Sequence, residues 1–223
     1  MTAPPRLAFY DFDGTLSSGN VARRYAFFCL RQPSRWRAAV KFSKLVLAIP
    51  AYLTLDYCSR RRFNEIFYRE YRGMEEKWLR RQSQAVFETL IRPSLYPRAK
   101  LLIEQDRAEG YRPILVSGEL DFALDRVVRY FCFDGVICNS LVFRDGVATG
   151  EVTRPLIAED EKVAAMRRYA SEAGAALDES KAYSDSLSDL PMLEAVGRPT
   201  AVNPGRRLRR VALERGWPVL DLR

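Results

Sequence analysis

The sequence is organised around the segment Leu7-Ala8-Phe9-Tyr10-Asp11-Phe12-Asp13-Gly14-Thr15-Leu16. Its first four residues are apolar and predict a short buried strand. Asp11 and Asp13 follow two residues apart, so on an extended backbone both carboxylates point to the same side, and Gly14 lets the chain turn sharply away. A concentration of carboxylates needs a cation, and Mg²⁺ prefers oxygen ligands. An ordinary Asp-rich turn remains the alternative for this segment taken alone.

The composition is that of a folded protein, with 223 residues of which 48% are hydrophobic and 29% are charged. The sequence contains no histidine. This excludes the usual general base and the commonest zinc ligand, so catalysis would rest on carboxylates, hydroxyls or lysine. Residues 1–6 are too short and polar for a signal peptide. The four cysteines form no CxxC pair, and we expect reduced thiols in a cytoplasmic protein: Cys29, Cys58, Cys132 and Cys138.

The positive charge lies in one part of the chain. Residues 17–98 hold 17 Lys and Arg against 6 Asp and Glu, although the whole chain has a net charge of +8. This surplus favours contact with phosphate esters, nucleic acid or an anionic membrane. No recognisable nucleic-acid module accompanies it, so we expect no nucleic-acid partner.

The same basic region is helical in character and contains an apolar segment, residues 45–55. Eleven residues are too few to span a bilayer, which needs about 20, and Pro50 is expected to kink a helix. We expect a helical hairpin whose apolar segment forms the core of a small domain. The alternative is an interfacial helix with peripheral membrane contact, because basic residues precede and follow the segment.

Beyond Pro93 and Pro97, helices and strands alternate, which predicts a Rossmann-like, doubly wound, mainly parallel α/β sheet with helices on both faces. We expect a core domain of residues 1–16 and 93–223 and a helical cap domain of residues 17–92. The predicted strands are 112–116, 135–139, 181–183, 200–202 and 218–220, with a hairpin at 141–152. The predicted helices are 98–109, 120–130, 159–172, 187–195 and one ending at 215.

Polar residues follow these strands where ligands bind in such sheets. Ser117-Gly118 follows one strand and is able to hold an anion, or Ser117 is an ordinary helix N-cap. Asp185 follows another and is able to join Asp11 and Asp13 as a third carboxylate. Ser186 and Asp189 have capping-box spacing. Lys162 opens a helix and, taken alone, is explained as a surface lysine.

Together these motifs resemble the four-motif signature of haloacid dehalogenase superfamily phosphatases, subclass IB, to which phosphoserine phosphatase belongs. The resemblance implies that Asp11 is the nucleophile that forms an aspartyl-phosphate, and that Asp13 is the general acid and base. It implies Mg²⁺ bound by Asp11, the Asp13 backbone carbonyl and Asp185, with Asp189 orienting that site. It assigns phosphate binding to Ser117, the Gly118 N–H and Lys162.

Two residues differ from the phosphoserine phosphatase pattern. Phosphoserine phosphatases are similar to one another in a glutamate nine residues after the nucleophile, and this sequence has Asn20 at that position. They also tend to have a second glycine after the Ser-Gly pair, and this sequence has Glu119 there. These differences argue against phosphoserine itself, and the basic region with its apolar segment favours an anionic or lipid-like ester. The expected substrate class is a small phosphomonoester of phosphoserine-like, phospho-alcohol or lipid-like type. The competing hypothesis is a membrane-surface or anionic-ligand binding protein with little turnover. The sequence leaves the oligomeric state open.

Overall fold

The computed structural model describes residues 4–223, so residues 1–3 of the predicted core segment 1–16 lie outside the described residues. Within that range the strands are β1 Arg6–Tyr10, β2 Tyr111–Leu120, β3 Gly135–Asn139, β4 Leu141–Arg144, β5 Val147–Val152, β6 Lys181–Ser184, β7 Arg198–Val202 and β8 Val219–Leu220. The α-helices are α1 Val21–Leu30, α2 Arg35–Cys58, α3 Arg60–Phe67, α4 Glu76–Val86, α5 Ala99–Ala108, α6 Asp121–Phe131, α7 Asp160–Ala173, α8 Leu190–Glu194 and α9 Arg206–Glu214.

Six strands form one parallel sheet in the order β3-β2-β1-β6-β7-β8, and β4 and β5 form a separate antiparallel hairpin. The chain builds the sheet outward from β1 in one direction through β2 and β3. It then returns to the other side of β1 and continues through β6 to β8. The direction of winding therefore reverses between β1 and β6, and ligands bind at the carboxyl ends of the strands beside such a reversal. The predicted fold class is confirmed.

Alternation along β1 explains why both faces of the sheet are covered. Leu7 and Phe9 belong to one apolar cluster, which α7, α8 and α9 complete. Ala8 and Tyr10 point the other way, into a cluster that includes side chains of α5, α6 and the helices of residues 17–92. The second cluster runs without interruption from the sheet into those helices. The division into core and cap at residues 16 and 93 stays a prediction.

The apolar segment 45–55 forms no hairpin of its own and contributes to the core only in part, through Leu45 and Tyr52. It lies inside α2, a single helix of 24 residues that continues through Pro50. Only Ala38, Leu45 and Tyr52 of α2 are buried. These residues are seven apart and form a line along one side of α2, and Phe42, Ala48 and Leu55 beside that line are partly buried against the same cluster. Apolar composition predicted burial, but the neighbouring elements cover only this side of the helix.

The strand containing Ser117 also differs from its prediction. β2 does not end at Val116 but continues to Leu120, with a register shift against β3 between those two residues. The following helix, α6, begins at Asp121, and its N-cap residue Leu120 makes no side-chain cap bond. The N-cap explanation of Ser117 is therefore wrong.

Candidate active site

Asp11 and Asp13 lie in the turn that follows β1. The Asp11 N–H donates to the carbonyl of Tyr183 in the neighbouring β6 at 3.0 Å. The chain then turns at Gly14, whose φ is +88°. A Cβ on Gly14 would lie 2.1 Å from an Asp185 carboxylate oxygen. Only glycine therefore lets the turn approach Asp185 this closely.

Lys162 joins two of the predicted site residues. It lies in the first turn of α7 and is buried, so the surface-lysine explanation is wrong. Its Nζ donates to Asp11 Oδ1 at 2.7 Å and to Asp189 Oδ2 at 2.9 Å. Burial by itself lowers the pKa of Lys162, but the carboxylates of Asp11 and Asp189 outweigh that effect and raise it. The ammonium group therefore keeps its charge in the buried site.

Thr15 links the carboxylates of Asp11 and Asp185. Its Oγ1 lies 3.1 Å from Asp11 Oδ2 and 3.3 Å from Asp185 Oδ1, and it accepts from the Asp185 N–H at 3.0 Å. Asp189 accepts from the Ser184 hydroxyl at 2.8 Å. Ser186 caps the short 3-10 turn that follows β6 by accepting from the Ser188 N–H. Ser186 is therefore an N-cap as predicted. Asp189 does not complete the predicted capping box, because its carboxylate accepts from Lys162 and Ser184 instead.

The charges at this turn fit a divalent cation. Burial, then the charges of Asp11 and Asp189, raises the pKa of Asp185 to about 8. Burial raises the pKa of Asp11 to about 6, although Lys162 opposes the shift. Lys162 pairs with Asp11 and Asp189 and not with Asp185. The surplus of carboxylate charge is therefore greatest between Asp11 and Asp185, where oxygen donors suit Mg²⁺.

Among residues 4–223, no group of three or more His, Cys, Asp or Glu side chains is placed to hold a metal ion. The predicted ligand set, which takes two carboxylates, from Asp11 and Asp185, and one backbone carbonyl, from Asp13, is not a group of this kind and stays a prediction. Further ligands to Mg²⁺ in such sites come from water and substrate phosphate. The donor chemistry therefore fits the ion.

Six predicted residues line one small pocket: Asp11, Asp13, Ser117, Gly118, Lys162 and Asp189. Asp185 adjoins this pocket through Thr15 rather than lining it. Ser117 is buried, and its hydroxyl accepts from the Glu119 N–H at 3.2 Å. The Gly118 carbonyl accepts from Asn139 Nδ2 at 2.7 Å and from the Tyr68 hydroxyl at 2.5 Å. These bonds fix the Ser117-Gly118 backbone against the helical region.

Three polar residues of the helical region also line this pocket, and the sequence did not identify them. Arg60, Asn64 and Tyr68 are spaced four apart, so they share one side of α3 and the turn after it. Phe63 and Phe67 occupy the buried apolar side of the same helix. The four-residue spacing of Arg60, Asn64 and Tyr68 beside these aromatic residues was the sequence pattern that could have identified a polar side of the helix facing the pocket. The Asn64 side-chain nitrogen is buried and has no hydrogen-bond partner within residues 4–223.

Arg24 is a further residue that the sequence did not identify. It lies on α1, fully surrounded, and its guanidinium contacts both Asp13 and Glu119. Glu119, which stands where phosphoserine phosphatases tend to have a glycine, thus forms an ion pair with Arg24. Asn20 is the N-cap of α1, since its side chain accepts from the Arg23 N–H at 3.0 Å. No spacing in the sequence connects residues 24 and 119.

The family model described as haloacid dehalogenase-like hydrolase matches residues 8–194. A curated relative from Streptomyces azureus, an inhibition of morphological differentiation protein, is 42% identical over 133 residues, 59% of this chain and 48% of the relative. A "Probable phosphatase" from Mycobacterium tuberculosis is 31% identical over 216 residues, 96% of this chain and 74% of the relative. A phosphoserine phosphatase from the same organism is 27% identical over 97% of this chain and 70% of its own length.

Solved structures agree with the fold. A protein of unknown function from Bordetella pertussis has a TM-score of 0.86 and 26% identity, covering 99% of this chain and 100% of that one. A substrate-bound phosphoserine phosphatase has a TM-score of 0.71 and 16% identity, covering 100% of this chain and 95% of that one. At this identity the second comparison describes the fold alone.

Proposed function

The chain belongs to the haloacid dehalogenase-like hydrolases, and we propose that within this family it is a Mg²⁺-dependent phosphatase of small organic phosphomonoesters. The observation that carries the proposal is the arrangement of Asp11, Asp13, Ser117 and Lys162 around one buried pocket. A nucleophile, an acid and base, a hydroxyl and a cation are the groups that phosphoryl transfer requires. A protein that only binds anions has no use for a second carboxylate beside the first.

Asp11 is the nucleophile in this proposal. A carboxylate oxygen attacks phosphorus, the bond from phosphorus to the ester oxygen breaks, and an aspartyl-phosphate forms on Asp11. Lys162 holds Oδ1 at 2.7 Å and the Thr15 hydroxyl lies 3.1 Å from Oδ2. These two contacts fix the orientation of the carboxylate before substrate enters.

Asp13 serves both half-reactions as acid and then base. In its protonated form it gives a proton to the departing alcohol oxygen. In the second half-reaction it takes a proton from the water that attacks phosphorus, which releases inorganic phosphate and restores the Asp11 carboxylate. Because the sequence contains no histidine, a carboxylate is the economical choice for this proton transfer.

Ser117, the Gly118 N–H and Lys162 would hold the phosphoryl oxygens, whose negative charge must be stabilised in the transition state. Asp11, Asp185 and the Asp13 carbonyl would hold Mg²⁺, and Asp189 would orient that site. The ion, when bound, neutralises charge on the phosphoryl group. Its positive charge would also offset the burial and the repulsion from Asp11 that raise the pKa of Asp185.

The leaving group would contact Arg60 and Asn64 of α3. Both side chains reach the pocket from the helical region, and Asn64 offers an unpaired amide donor. A leaving group with a hydrogen-bond acceptor would satisfy Asn64, and the positive charge of Arg60, which also pairs with Asp56, would favour an anionic one. The pocket encloses about 40 Å³, and a single water already needs roughly 10–15 Å³ of such volume, so the pocket has room for a few waters but not for an organic ester. We therefore infer that α3 moves away from the sheet when an ester enters.

The test is hydrolysis of a panel of phosphomonoesters with Mg²⁺, with EDTA and with the Asp11→Asn variant. The panel contains phosphoserine, phosphoethanolamine, phosphocholine, a sugar phosphate, a nucleotide and lysophosphatidate. We expect turnover of at least one ester with Mg²⁺, and loss of at least about a thousandfold with EDTA or Asp11→Asn. Asp178→Asn, which changes an exposed carboxylate, serves as the control and keeps wild-type turnover.

Two results would contradict the proposal. Turnover that survives Asp11→Asn at the wild-type rate would exclude Asp11 as the nucleophile. Binding of the esters without turnover under every condition would favour the anionic-ligand binding protein instead.

A further inference from the structure

α2 exposes an apolar face that the other elements within residues 4–223 leave largely uncovered. Opposite its buried line, large apolar side chains stand in solvent: Trp36 is 78% exposed, Leu47 83%, Leu53 66% and Tyr57 79%. An 18-residue window of this helix has a mean hydropathy of 1.4, and only 6% of the window is buried. A contiguous apolar surface of this kind marks an interaction site.

The other side of α2 is attached to the protein by a buried carboxylate. Glu70 accepts from the Tyr52 hydroxyl at 3.0 Å and pairs with Lys44 at 2.8 Å, while its backbone carbonyl accepts from Lys41 at 2.7 Å. The Tyr52 ring also packs edge-on against Phe67. These contacts hold the middle of α2, residues 41–52, against its neighbours.

The helix is therefore placed to lie on a bilayer rather than to cross it. With 24 residues it is about 36 Å long, enough for the roughly 30 Å of a hydrocarbon core. Crossing would separate Glu70 from Tyr52 and Lys44 and leave a buried carboxylate without its partners, which is strongly unfavourable. A helix with one face held by protein and the other apolar fits the interfacial type.

Basic residues border the apolar face. Residues 31–62 contain eight Lys and Arg and one acidic residue, Asp56. At 100° per residue, Arg37, Lys41 and Lys44 fall between the exposed apolar face and the buried line of α2. A groove of about 1070 Å³ beside them is also lined by three arginines and three glutamates, so its surplus of positive charge comes from the basic residues of α2: Arg69, Arg72, Arg154, Glu65, Glu70 and Glu151. Positive charge thus lies where lipid phosphates would be if the apolar face entered a bilayer.

We propose that α2 docks on the surface of an anionic phospholipid bilayer, with its exposed apolar face in the acyl boundary and its basic border on the headgroup phosphates. A second copy of this chain fits the face less well. Two copies that shared it by two-fold symmetry would bring two positively charged borders together, and residues 31–62 contain only Asp56 to offset that charge. The inference concerns α2 alone, so its test needs no turnover and is separate from the test of the phosphatase activity.

The experiment is sedimentation of the full chain with phosphatidylcholine vesicles, with and without about 30 mol % phosphatidylglycerol. We expect sedimentation with the anionic vesicles only, weakening as salt rises. The variant Leu47→Glu/Leu53→Glu should bind at least tenfold more weakly, because both side chains leave the acyl boundary. The matched control is Leu101→Glu/Leu213→Glu, which alters leucines that are 52% and 63% exposed on α5 and α9. It adds the same charge and should bind within twofold of wild type.

Trp36 supplies a second measurement. Its fluorescence should shift to shorter wavelength with the anionic vesicles, and Trp36→Phe should abolish that shift. Equal loss of binding in both leucine variants would overturn the proposal, since binding would then reflect net charge only. Absence of wild-type binding would overturn it as well. A dimer in light scattering that Leu47→Glu/Leu53→Glu dissociates would assign the face to a second copy.

Discussion

The Arg24 guanidinium forms a bidentate ion pair with the carboxylate of Asp13. Nη1 donates to Oδ1 at 2.9 Å and Nη2 donates to Oδ2, while Nε donates to Glu119. Burial lowers the pKa of Arg24, but Asp13 and Glu119 outweigh that effect and raise it. Parallel bonds of this kind fix both the position and the plane of a carboxylate. Arg24 is therefore a positioning residue for the proposed acid and base.

The first prediction concerns the bidentate ion pair between Arg24 and Asp13. Arg24→Lys keeps the charge but loses the planar pair of donors, so kcat should fall by about tenfold to a hundredfold. KM should change by less than about threefold, because Arg24 does not line the pocket. Steady-state kinetics with the best ester of the panel measures both values.

Arg23→Lys is the control for this prediction, since Arg23 is the exposed neighbour on α1. Its kinetics should match the wild type. Arg24→Met is the harsher variant, because it leaves Asp13 and Glu119 buried without their cation at a cost of about 3–5 kcal/mol. An unchanged kcat in Arg24→Lys would show that Asp13 needs no positioning by the guanidinium.

The second prediction concerns thiol reactivity. Cys58 and Cys132 are exposed, whereas Cys29 is buried. Burial, then the charges of Asp121 and Glu119, raises the pKa of Cys138 to about 12. Because the thiolate is the nucleophile, iodoacetamide near pH 8 should label Cys58 and Cys132 at least about a hundredfold faster than Cys138. Peptide mass spectrometry over time measures the four rates.

Unfolding in guanidinium chloride is the control for the thiols, and there all four cysteines should react at similar rates. Labelling of Cys138 as quickly as Cys132 in the native protein would contradict the burial of that thiol. The buried Cys29 should likewise react slowly, since burial raises its pKa.

The sequence predicted the parallel sheet and most of the site because both depend on local patterns. The strand that ends at Tyr10 places Asp11 beside Ser117 and Asp185 through parallel pairing alone, and the order of motifs along the chain indicates that pairing. Arg24 and Glu119 could not be predicted in the same way. Their contact joins α1 to the end of β2 over 95 residues of sequence, and no periodicity records it. The exposure of α2 could not be predicted, because apolar composition does not show whether another helix or strand packs against each side of a helix.

The third prediction separates two effects of a side chain at Gly14 on the free energy of unfolding. One is the strain of the left-handed backbone, and the other is the steric clash of a Cβ with Asp185. Gly14 and Gly73 have φ values of +88° and +81°, but only Gly14 has a carboxylate where a Cβ would stand, while Gly73 has nothing within 4 Å. Gly73→Ala should lose about 1–2 kcal/mol of unfolding free energy from the left-handed backbone alone. Gly14→Ala should lose more than this, because Asp185 must also move. Urea denaturation compares the two variants.

The same pair of variants tests the position of Asp185 as a ligand. Gly14→Ala should raise the Mg²⁺ concentration for half-maximal turnover by at least tenfold, whereas Gly73→Ala should leave it unchanged. Equal unfolding free energies for the two variants would show that Asp185 moves aside without cost. The stability comparison holds whether or not the protein turns over an ester.

The fourth prediction concerns the unpaired amide of Asn64. A buried donor without a partner costs about 1–3 kcal/mol, so Asn64→Ala should leave the melting temperature unchanged or higher, unlike most truncations of buried residues. KM should rise at least tenfold for esters whose leaving group carries an acceptor, and remain unchanged for phenyl phosphate, whose leaving group has only its bridging oxygen. Ser83→Ala is the matched control, because the Ser83 hydroxyl is also buried and unpaired within residues 4–223 but lies outside the pocket. A KM that rises equally for every ester would mean that Asn64 supports the pocket wall rather than the leaving group.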